Sequence, residues 1–350
     1  MILKNLNREY RFDIARVLCM SFIVAYVHCY GYIYNVLNPF AKHPAAAIIT
    51  SAALGLFTFV SGYLLGRKYT FSNKAEVLLF FRKRVLRIFP LFLLASVGLL
   101  VIGFNSARAT FNGIVCISPF VRPRPLTLWY IPVIVLCYSI TPFYNRGSIK
   151  RKVIVGIAIV AVLSLLTACF KSIDQRFVFN VFFYLLGMCT SSVFDWRLDG
   201  KWTWVKCFVV FSFLLLLIIC QCYHVTDIYR NIVGAIGVIA LLFLCGWIEK
   251  LIIRQKTQQE EGPSVSSSVL KQKGLLITKL SYCSFAAYLF HRLFFWAGEQ
   301  LWNPSVHWIK WVYMLGVVFP IICFVSYYIQ KGYDKLINKL ELRINSTSLS

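Results

Sequence analysis

Charged residues are scarce in this 350-residue chain, and acidic residues are the scarcest. Asp and Glu together number 13, charged residues make up 14% of the chain, and apolar residues make up 59%. Soluble domains carry about 25% charged residues, so this composition excludes an ordinary soluble protein and indicates a membrane protein. Because helices satisfy their own backbone hydrogen bonds in lipid, we expect an all-α, polytopic fold.

Recognisable cysteine and histidine motifs are also lacking. The 12 cysteines lie mostly inside apolar stretches, without CxxC pairs or histidines at metal-binding spacing, and Cys220 and Cys222 are the closest pair. Small buried hydrophobic side chains are the commoner role of such cysteines. We therefore predict neither a disulfide framework nor a metal site.

Ten apolar segments are long enough to cross a bilayer. The first follows a basic stretch that has no small-residue cleavage site, which predicts an uncleaved span. We predict one membrane domain over residues 1–350, with a mobile cytoplasmic loop at 249–274 and a cytoplasmic tail at 331–350. The predicted spans are about 12–32, 46–66, a stretch that includes Pro90 and ends near 104, 126–143, 152–170, 177–194, 202–222, 228–248, 278–298 and 308–330.

The net charge of +24 would suggest nucleic acid as the partner of a soluble protein. When the links between spans are assigned to alternate sides, 27 of the 37 lysines and arginines fall on the side of the amino terminus. Cytoplasmic links are rich in these residues, so the bias predicts that both termini are cytoplasmic. It explains most of the charge through the lipid bilayer alone, without nucleic acid.

The first span carries three ionisable side chains, Asp13, Arg16 and His28. A charge at this depth costs about 2.5–3.5 kcal/mol, and such residues usually face the protein interior and have a function. Asp13 and Arg16 share a helix face. His28 lies about 18 Å further along, and a buried neutral histidine is suited to general base catalysis. The alternative for His28 is a hydrogen bond to a neighbouring helix.

Five ordered motifs resemble the integral-membrane acyltransferase 3 family, bacterial enzymes that O-acylate cell-surface glycans. They occur in the family's order across nearly the whole chain. The motifs are D-x-x-R followed by His at Asp13, Arg16 and His28, FVSGYLL at 59–65, RVLRIFP at 84–90, LWYIPVIVLCYSITP at 128–142 and YLFH at 288–291.

The resemblance implies a multi-pass enzyme of the bacterial cytoplasmic membrane. It would transfer an acyl group, most simply acetyl, from cytoplasmic acyl-CoA to a hydroxyl of a surface polysaccharide or its lipid-linked precursor. Acetyl-CoA would be the donor substrate, with no bound cofactor. His28, with Asp13 and Arg16, would be catalytic, as a general base or a transient acyl carrier. Arg84 and Arg87 would bind the phosphates of coenzyme A, although such basic clusters more often fix topology or contact anionic lipid.

Four further residues are candidates for substrate binding. His291 lies at a depth similar to that of His28, and Arg292 follows it, although a hydrogen bond within the bundle and a helix-end position are the simpler explanations. Trp129 and Tyr130 are able to stack on sugar rings, but aromatic side chains at this depth more often form an interfacial belt.

One spacing departs from the family pattern, since eleven residues separate Arg16 from His28 where ten are usual. On an ideal helix the extra residue turns His28 by about 100° relative to Arg16. Either a π-bulge absorbs it, or the two side chains serve different chambers. A transporter or flippase of lipid-linked sugars is the alternative function, although we find no internal repeat. A glycan polymerase would need a larger outer loop than the sequence provides.

Overall fold

The computed structural model describes residues 10–34, 43–191, 203–222, 227–260 and 266–347, and these form helices without a strand. The prediction of an all-α fold is confirmed for this part of the chain. The helices are α1 (Tyr10–Ser21), a π-helix (Phe22–His28), α2 (Cys29–Ile33), α3 (Pro44–Lys68), α4 (Lys74–Val101), α5 (Ala107–Ile114), α6 (Tyr130–Tyr144), α7 (Ile149–Cys169), α8 (Gln175–Thr190), α9 (Thr203–Cys222), α10 (Asp227–Glu260), α11 (Ser266–Leu301), α12 (His307–Tyr313), a second π-helix (Met314–Val318) and α13 (Phe319–Thr347).

Seven helical segments in the described residues are long and apolar enough to cross a membrane. They match seven of the ten predicted spans. The other three predicted spans, 126–143, 177–194 and 278–298, coincide with α6, α8 and α11, of which α6 has 15 residues and α8 has 16. The seven segments are Tyr10–Ile33, Pro44–Lys68, Lys74–Val101, Ile149–Cys169, Thr203–Cys222, Tyr229–Ile252 and His307–Leu340.

Polar residues start several of these helices. A side-chain oxygen just before the first turn accepts a backbone N–H that has no partner within the helix, and this fixes where the helix begins. A proline such as Pro90, early in a predicted span, favours a break between an interfacial helix and a membrane helix, but α4 continues through it. The caps are Asn73 for α4, Ser106 for α5, Ser148 for α7 and Asp174 for α8.

Helices extend into the predicted loop and tail. Helix α10 continues to Glu260 and α11 begins at Ser266, so much of 249–274 has a helical backbone, and residues 261–265 lie outside the described residues. Helix α13 runs to Thr347 through most of 331–350. The mobility of the loop and the side on which both segments lie stay predictions.

The chain divides into two compact units built from separate stretches. Unit 1 comprises Met1–Phe57, Trp196–Tyr288 and Leu301–Tyr327, and unit 2 comprises Thr58–Asp195, Leu289–Gln300 and Tyr328–Ser350. Each unit therefore combines early and late parts of the sequence. The single domain predicted over residues 1–350 stays a prediction.

The core of unit 1 includes a cluster where α3, α9 and α10 meet. Ile48, Phe213 and Val233 are buried together there, and a Cβ at Gly237 would meet the Phe213 ring at 2.6 Å. Close approach of apolar helices over small residues is usual in membrane proteins, where van der Waals packing drives association.

The core of unit 2 depends on backbone contact between α3 and α8. A Cβ on Gly62 would collide with the Tyr184 carbonyl oxygen, and one on Gly187 would collide with the Phe59 carbonyl oxygen. Beside this contact, Thr58 Oγ1 donates to Asn180 Oδ1 at 2.7 Å. The FVSGYLL motif therefore lies at a tightly packed helix pair.

Candidate active site

Asp13 and Arg16 form the polar centre of α1. The Asp13 residue is only 3% exposed, and its Oδ1 accepts a hydrogen bond from Ser281 Oγ of α11 at 2.7 Å. Arg16 Nη1 lies 3.4 Å from the same oxygen, so the pair predicted from their spacing is present. A carboxylate that accepts both donors is well stabilised for a buried charge.

A second buried pair lies beside it, and sequence reasoning missed this pair. The Arg11 backbone N–H donates to Glu249 Oε1 at 3.1 Å, and Arg11 Nε lies 3.3 Å from Glu249 Oε2. Both side chains are almost fully buried. In the sequence, Arg11 is one of the basic residues that precede the first predicted span, and there it indicates only topology. The available signal was Glu249 itself, an acidic residue directly after a long apolar run in a chain with few acids.

A π-helix connects this centre to His28. Phe22–His28 is π-helical, and His28 is its last residue, half-buried. In a π-helix each N–H bonds to the carbonyl five residues earlier, so one additional residue fits into the turn. This segment takes up the extra residue between Arg16 and His28 and reduces the rotation of about 100° that a regular α-helix would impose.

An aromatic cluster, defined as Tyr26, Tyr30, Tyr34, His43 and Trp311, surrounds the end of this helix in unit 1. The rings of Tyr26 and Tyr30 each lie 6.4 Å from the Trp311 ring, and Tyr30 and Tyr34 are 4.4 Å apart. The Tyr30 hydroxyl is 3.1 Å from His43 Nε2. Sequence reasoning gave His43 no role, because its partner lies across a link.

Arg84 occupies an aromatic cage in unit 2, defined as Tyr69, Phe80 and Tyr138. Its guanidinium carbon lies 5.4–5.6 Å from the three ring centroids, and Nη2 donates to the Tyr69 hydroxyl at 3.3 Å. Its Nε is buried and has no hydrogen-bond partner among the described residues. Cation–π attraction therefore stabilises much of this charge, whereas Arg87 of the same motif is exposed.

His291 and Arg292 differ in their surroundings. His291 is fully buried, and its ring meets Phe295 edge-on at 6.2 Å. Arg292 Nε donates to Thr127 Oγ1 at 3.1 Å, and its guanidinium lies 5.0 Å from the Phe104 ring centroid. Such surroundings suit a packed histidine and an arginine that ties α11 to the start of α6.

Trp129 and Tyr130 also differ in their surroundings. The guanidinium carbon of Arg176 lies 3.9 Å from the Trp129 ring centroid, and Trp129 is half-buried. Tyr130 is buried, and its hydroxyl is 3.3 Å from Thr58 Oγ1. Trp129 therefore offers a surface to a ligand, whereas Tyr130 packs inside unit 2.

A family model described as an acyltransferase domain matches residues 9–331, which include every motif described above. The chain belongs to the acyltransferase 3 family. No curated protein and no solved structure gives a significant match to it. Since the family comprises membrane acyltransferases, the chain is an acyl-transferring enzyme that crosses the membrane several times. Nothing favours the transporter alternative.

The predicted residues of this acyltransferase fall into two sets. Asp13, Arg16 and His28 lie on the first helix of unit 1, whereas Arg84, Arg87, Trp129, Tyr130, His291 and Arg292 lie in unit 2. The first set combines a carboxylate, a guanidinium and an imidazole, which suits proton transfer. The second set is cationic and aromatic, which suits binding.

Proposed function

We propose that this acyltransferase transfers an acyl group, acetyl in the simplest case, from cytoplasmic acyl-CoA to a hydroxyl of a surface polysaccharide or its lipid-linked precursor. We place it in the bacterial cytoplasmic membrane with ten spans and both termini in the cytoplasm. The helical state of all ten predicted segments and the bias of Lys and Arg between alternate links support this topology.

The π-helix that ends at His28 carries the proposal. By taking up the additional residue, it would keep the acid, the arginine and the histidine of the family motif in register. π-Helical turns are rare and occur frequently at functional sites, because the widened turn places a side chain where a regular helix would not. His28 is therefore the group to which we assign the chemistry.

In the proposed reaction, His28 takes the proton from the acceptor hydroxyl. The oxygen attacks the thioester carbonyl carbon, the C–S bond breaks, and the coenzyme A thiolate leaves and takes up a proton. Alternatively, the imidazole nitrogen attacks first and carries the acyl group until the hydroxyl attacks. Both routes convert acyl-CoA and an alcohol into an ester and coenzyme A.

Asp13 and Arg16 support this step from the same helix. Asp13 is held by Ser281 and neutralises Arg16, which keeps a guanidinium stable within the span. The Arg16 side chain is 33% exposed, so it remains accessible to a substrate. We assign Asp13 a positioning role and Arg16 a role in stabilising negative charge on the reacting thioester.

We assign the donor to Arg84 and Arg87. The cage fixes Arg84, and exposed Arg87 lies one turn further along α4. Two guanidinium groups three residues apart suit the phosphates of coenzyme A. For the acceptor, the aromatic cluster next to His28 offers ring faces for a sugar, with Trp129, Tyr130, His291 and Arg292 as the substrate-binding candidates from the sequence.

Mass spectrometry of the surface glycan tests the proposal. Glycan from cells with the intact gene, a deletion, and a His28→Ala copy should show the acyl mass increment only with the intact gene. Val27→Ala is the matched control, because Val27 is a buried neighbour on the same π-helix and its truncation leaves the imidazole in place.

Equal membrane abundance of the variants has to be checked by immunoblot. Acylation that persists in His28→Ala would contradict the mechanism. Unchanged acylation with a loss of surface glycan in the deletion would contradict the function and indicate transport or assembly.

A further inference from the structure

Unit 2 contains a cavity of about 610 Å³ that is not part of the proposed donor site. Its charged lining consists of Arg122, Arg124 and Arg176, and Trp129 contributes an aromatic wall. No carboxylate is among its lining residues, which are otherwise Pro123, Pro125 and Leu126. A cavity that is lined by three guanidinium groups without an acid favours an anionic ligand.

One of these arginines builds the cavity. Arg124 Nε donates to the Ser118 carbonyl oxygen at 3.0 Å and lies 3.6 Å from Asp174 Oδ2, and Arg124 Nη2 donates to the Ser172 carbonyl oxygen. These contacts tie the link before α6 to the start of α8. Arg124 is therefore a structural member of the cavity wall.

The other two arginines remain available to a ligand. Arg176 makes a bidentate pair with Asp174, in which Nη2 lies 2.6 Å from Oδ2, yet half of its side chain is exposed over the Trp129 ring. Arg122 is exposed and forms no hydrogen bond or ion pair with a described residue. Asp174 occupies the Nε and Nη2 atoms of Arg176, whereas Nη1 forms no hydrogen bond with a described residue and is left to contact an oxyanion.

Like charges are crowded at this cavity. Burial lowers the pKa of Arg124 below its ordinary value; Asp174 partly compensates, and the charges of Arg176 and Arg122 lower it further. Asp174 is therefore shared between two cations and leaves an excess of positive charge at the cavity. A bound oxyanion would reduce this repulsion.

The cavity and the Arg84 cage lie at opposite ends of α4. Arg84 is in the first half of that helix, and about 17 residues, or about 25 Å, separate it from Val101 at the helix end. The link that follows α4 is fastened at this far end, where the Asn105 backbone N–H donates to the Leu99 carbonyl oxygen at 3.3 Å and Asn105 Oδ1 accepts from the Leu126 backbone N–H at 3.1 Å. A ligand in the cavity is therefore on the opposite side of the bilayer from the proposed donor phosphates.

We propose that this cavity binds a phosphoryl group, with Arg122 and Arg176 as the ligating cations and Trp129 as the adjoining wall. Two sources present that group at a membrane surface, a phosphodiester of an anionic lipid and a phosphorylated glycan precursor. The second source rests on the proposed function, since it would be the acceptor of the acyl group.

Calorimetric titration of the full-length protein tests the site. The protein is placed in nanodiscs of phosphatidylcholine and titrated with inorganic pyrophosphate. We expect the Arg122→Gln, Arg176→Gln double variant to bind at least about tenfold more weakly, because two charge-assisted contacts are lost. Arg108→Gln is the matched control, as it removes an exposed arginine from the same link that does not line the cavity.

Two outcomes would overturn the site: no pyrophosphate binding by the wild-type protein, or equal weakening by Arg108→Gln. Nanodiscs that contain phosphatidylglycerol distinguish the sources. Loss of pyrophosphate binding in them assigns the site to a lipid headgroup, and persistent binding assigns it to a soluble or glycan-borne phosphate. The binding assay needs no acyl transfer. If the protein fails to bind pyrophosphate while the glycan is still acylated, the phosphoryl site is disproved and the proposed function is unaffected.

Discussion

Helices α1 and α4 both bring arginine into apolar surroundings, but they stabilise it differently. In α1, Arg11 pairs with Glu249 and Arg16 pairs with Asp13. In α4, Arg84 is enclosed by three aromatic rings and one hydroxyl. A chain with 13 acidic residues and 17% aromatics has few carboxylates for its cations, so ring faces replace them.

A carboxylate partner and an aromatic cage leave an arginine with different amounts of charge for a ligand. The Arg11–Glu249 pair is almost fully buried, so its carboxylate neutralises the arginine and leaves little charge for a ligand. An aromatic cage stabilises a guanidinium but does not cancel its charge, so the cation remains able to attract an anion. Arg84 is therefore better suited than Arg11 to a phosphate-bearing substrate.

Removing the carboxylate of the buried pair should have the largest effect. Glu249→Gln leaves Arg11 buried beside a neutral amide, and we expect the free energy of unfolding to fall by about 3 kcal/mol. Chemical unfolding in detergent measures this change. Lys250→Gln on the neighbouring exposed position is the control and should change stability little. Equal stabilities for both variants would show that the pair does not stabilise the fold.

Breaking the aromatic cage should have a smaller effect. Arg84→Gln removes the charge at similar size, and we expect a loss of about 1–2 kcal/mol in thermal unfolding together with a higher KM for acyl-CoA. Tyr69→Phe keeps the ring and removes only the hydroxyl, so it should cost about 1 kcal/mol or less.

The matched control for the cage is Arg87→Gln, because Arg87 is exposed on the same helix. It should leave the thermal stability unchanged and raise only the KM. A stability loss equal to that of Arg84→Gln would contradict the distinction between the caged and the exposed arginine.

The smallest effect concerns Asp174, whose carboxylate pairs with the largely buried Arg124 and the half-exposed Arg176. Burial raises its pKa, but the hydrogen bonds and charges of Arg176 and Arg124 outweigh burial and hold the pKa below its ordinary value. Because the pKa of Asp174 is lower in the folded protein than in the unfolded chain, the ionised carboxylate stabilises the fold fully above about pH 3.9, its ordinary pKa. This stabilisation is lost as the pH falls through the pKa of the folded state. No change is therefore expected between pH 7 and pH 5.

Hydrogen exchange of the link at 118–126, corrected for intrinsic rates, checks this expectation. Protection should fall below about pH 4 in the wild-type protein. It should be lower and independent of pH in Asp174→Asn. A wild-type loss of protection already at pH 6 would show that another group controls the link.

Much of the fold follows from composition and periodicity. Within the described residues, each of the ten apolar segments that the sequence predicts is mostly helical, because lipid leaves the backbone few alternatives. The spacing of Asp13 and Arg16 predicts their contact, since partners three residues apart meet on any helix. The extra residue before His28 indicates a local irregularity, and the π-helix is one of the two solutions that the spacing allows.

The partners of these residues were not predictable in the same way. Ser281 reaches Asp13 across 268 residues of sequence, and Glu249 reaches Arg11 across 238. No local pattern encodes such contacts, which depend on how the helices of unit 1 associate. The helical backbone within 249–274 was not predictable for a related reason, since helices α10 and α11 extend into this polar stretch beyond their apolar parts.

The contact between α3 and α8 changes how the FVSGYLL motif is understood. A carbonyl oxygen of Tyr184 occupies the space that any side chain at position 62 would need. Even the methyl group of alanine, the smallest possible replacement, would force the two helices apart and open a gap along the core. Gly62 thus sets the distance between two backbones by its shape, and the chemistry belongs to other residues.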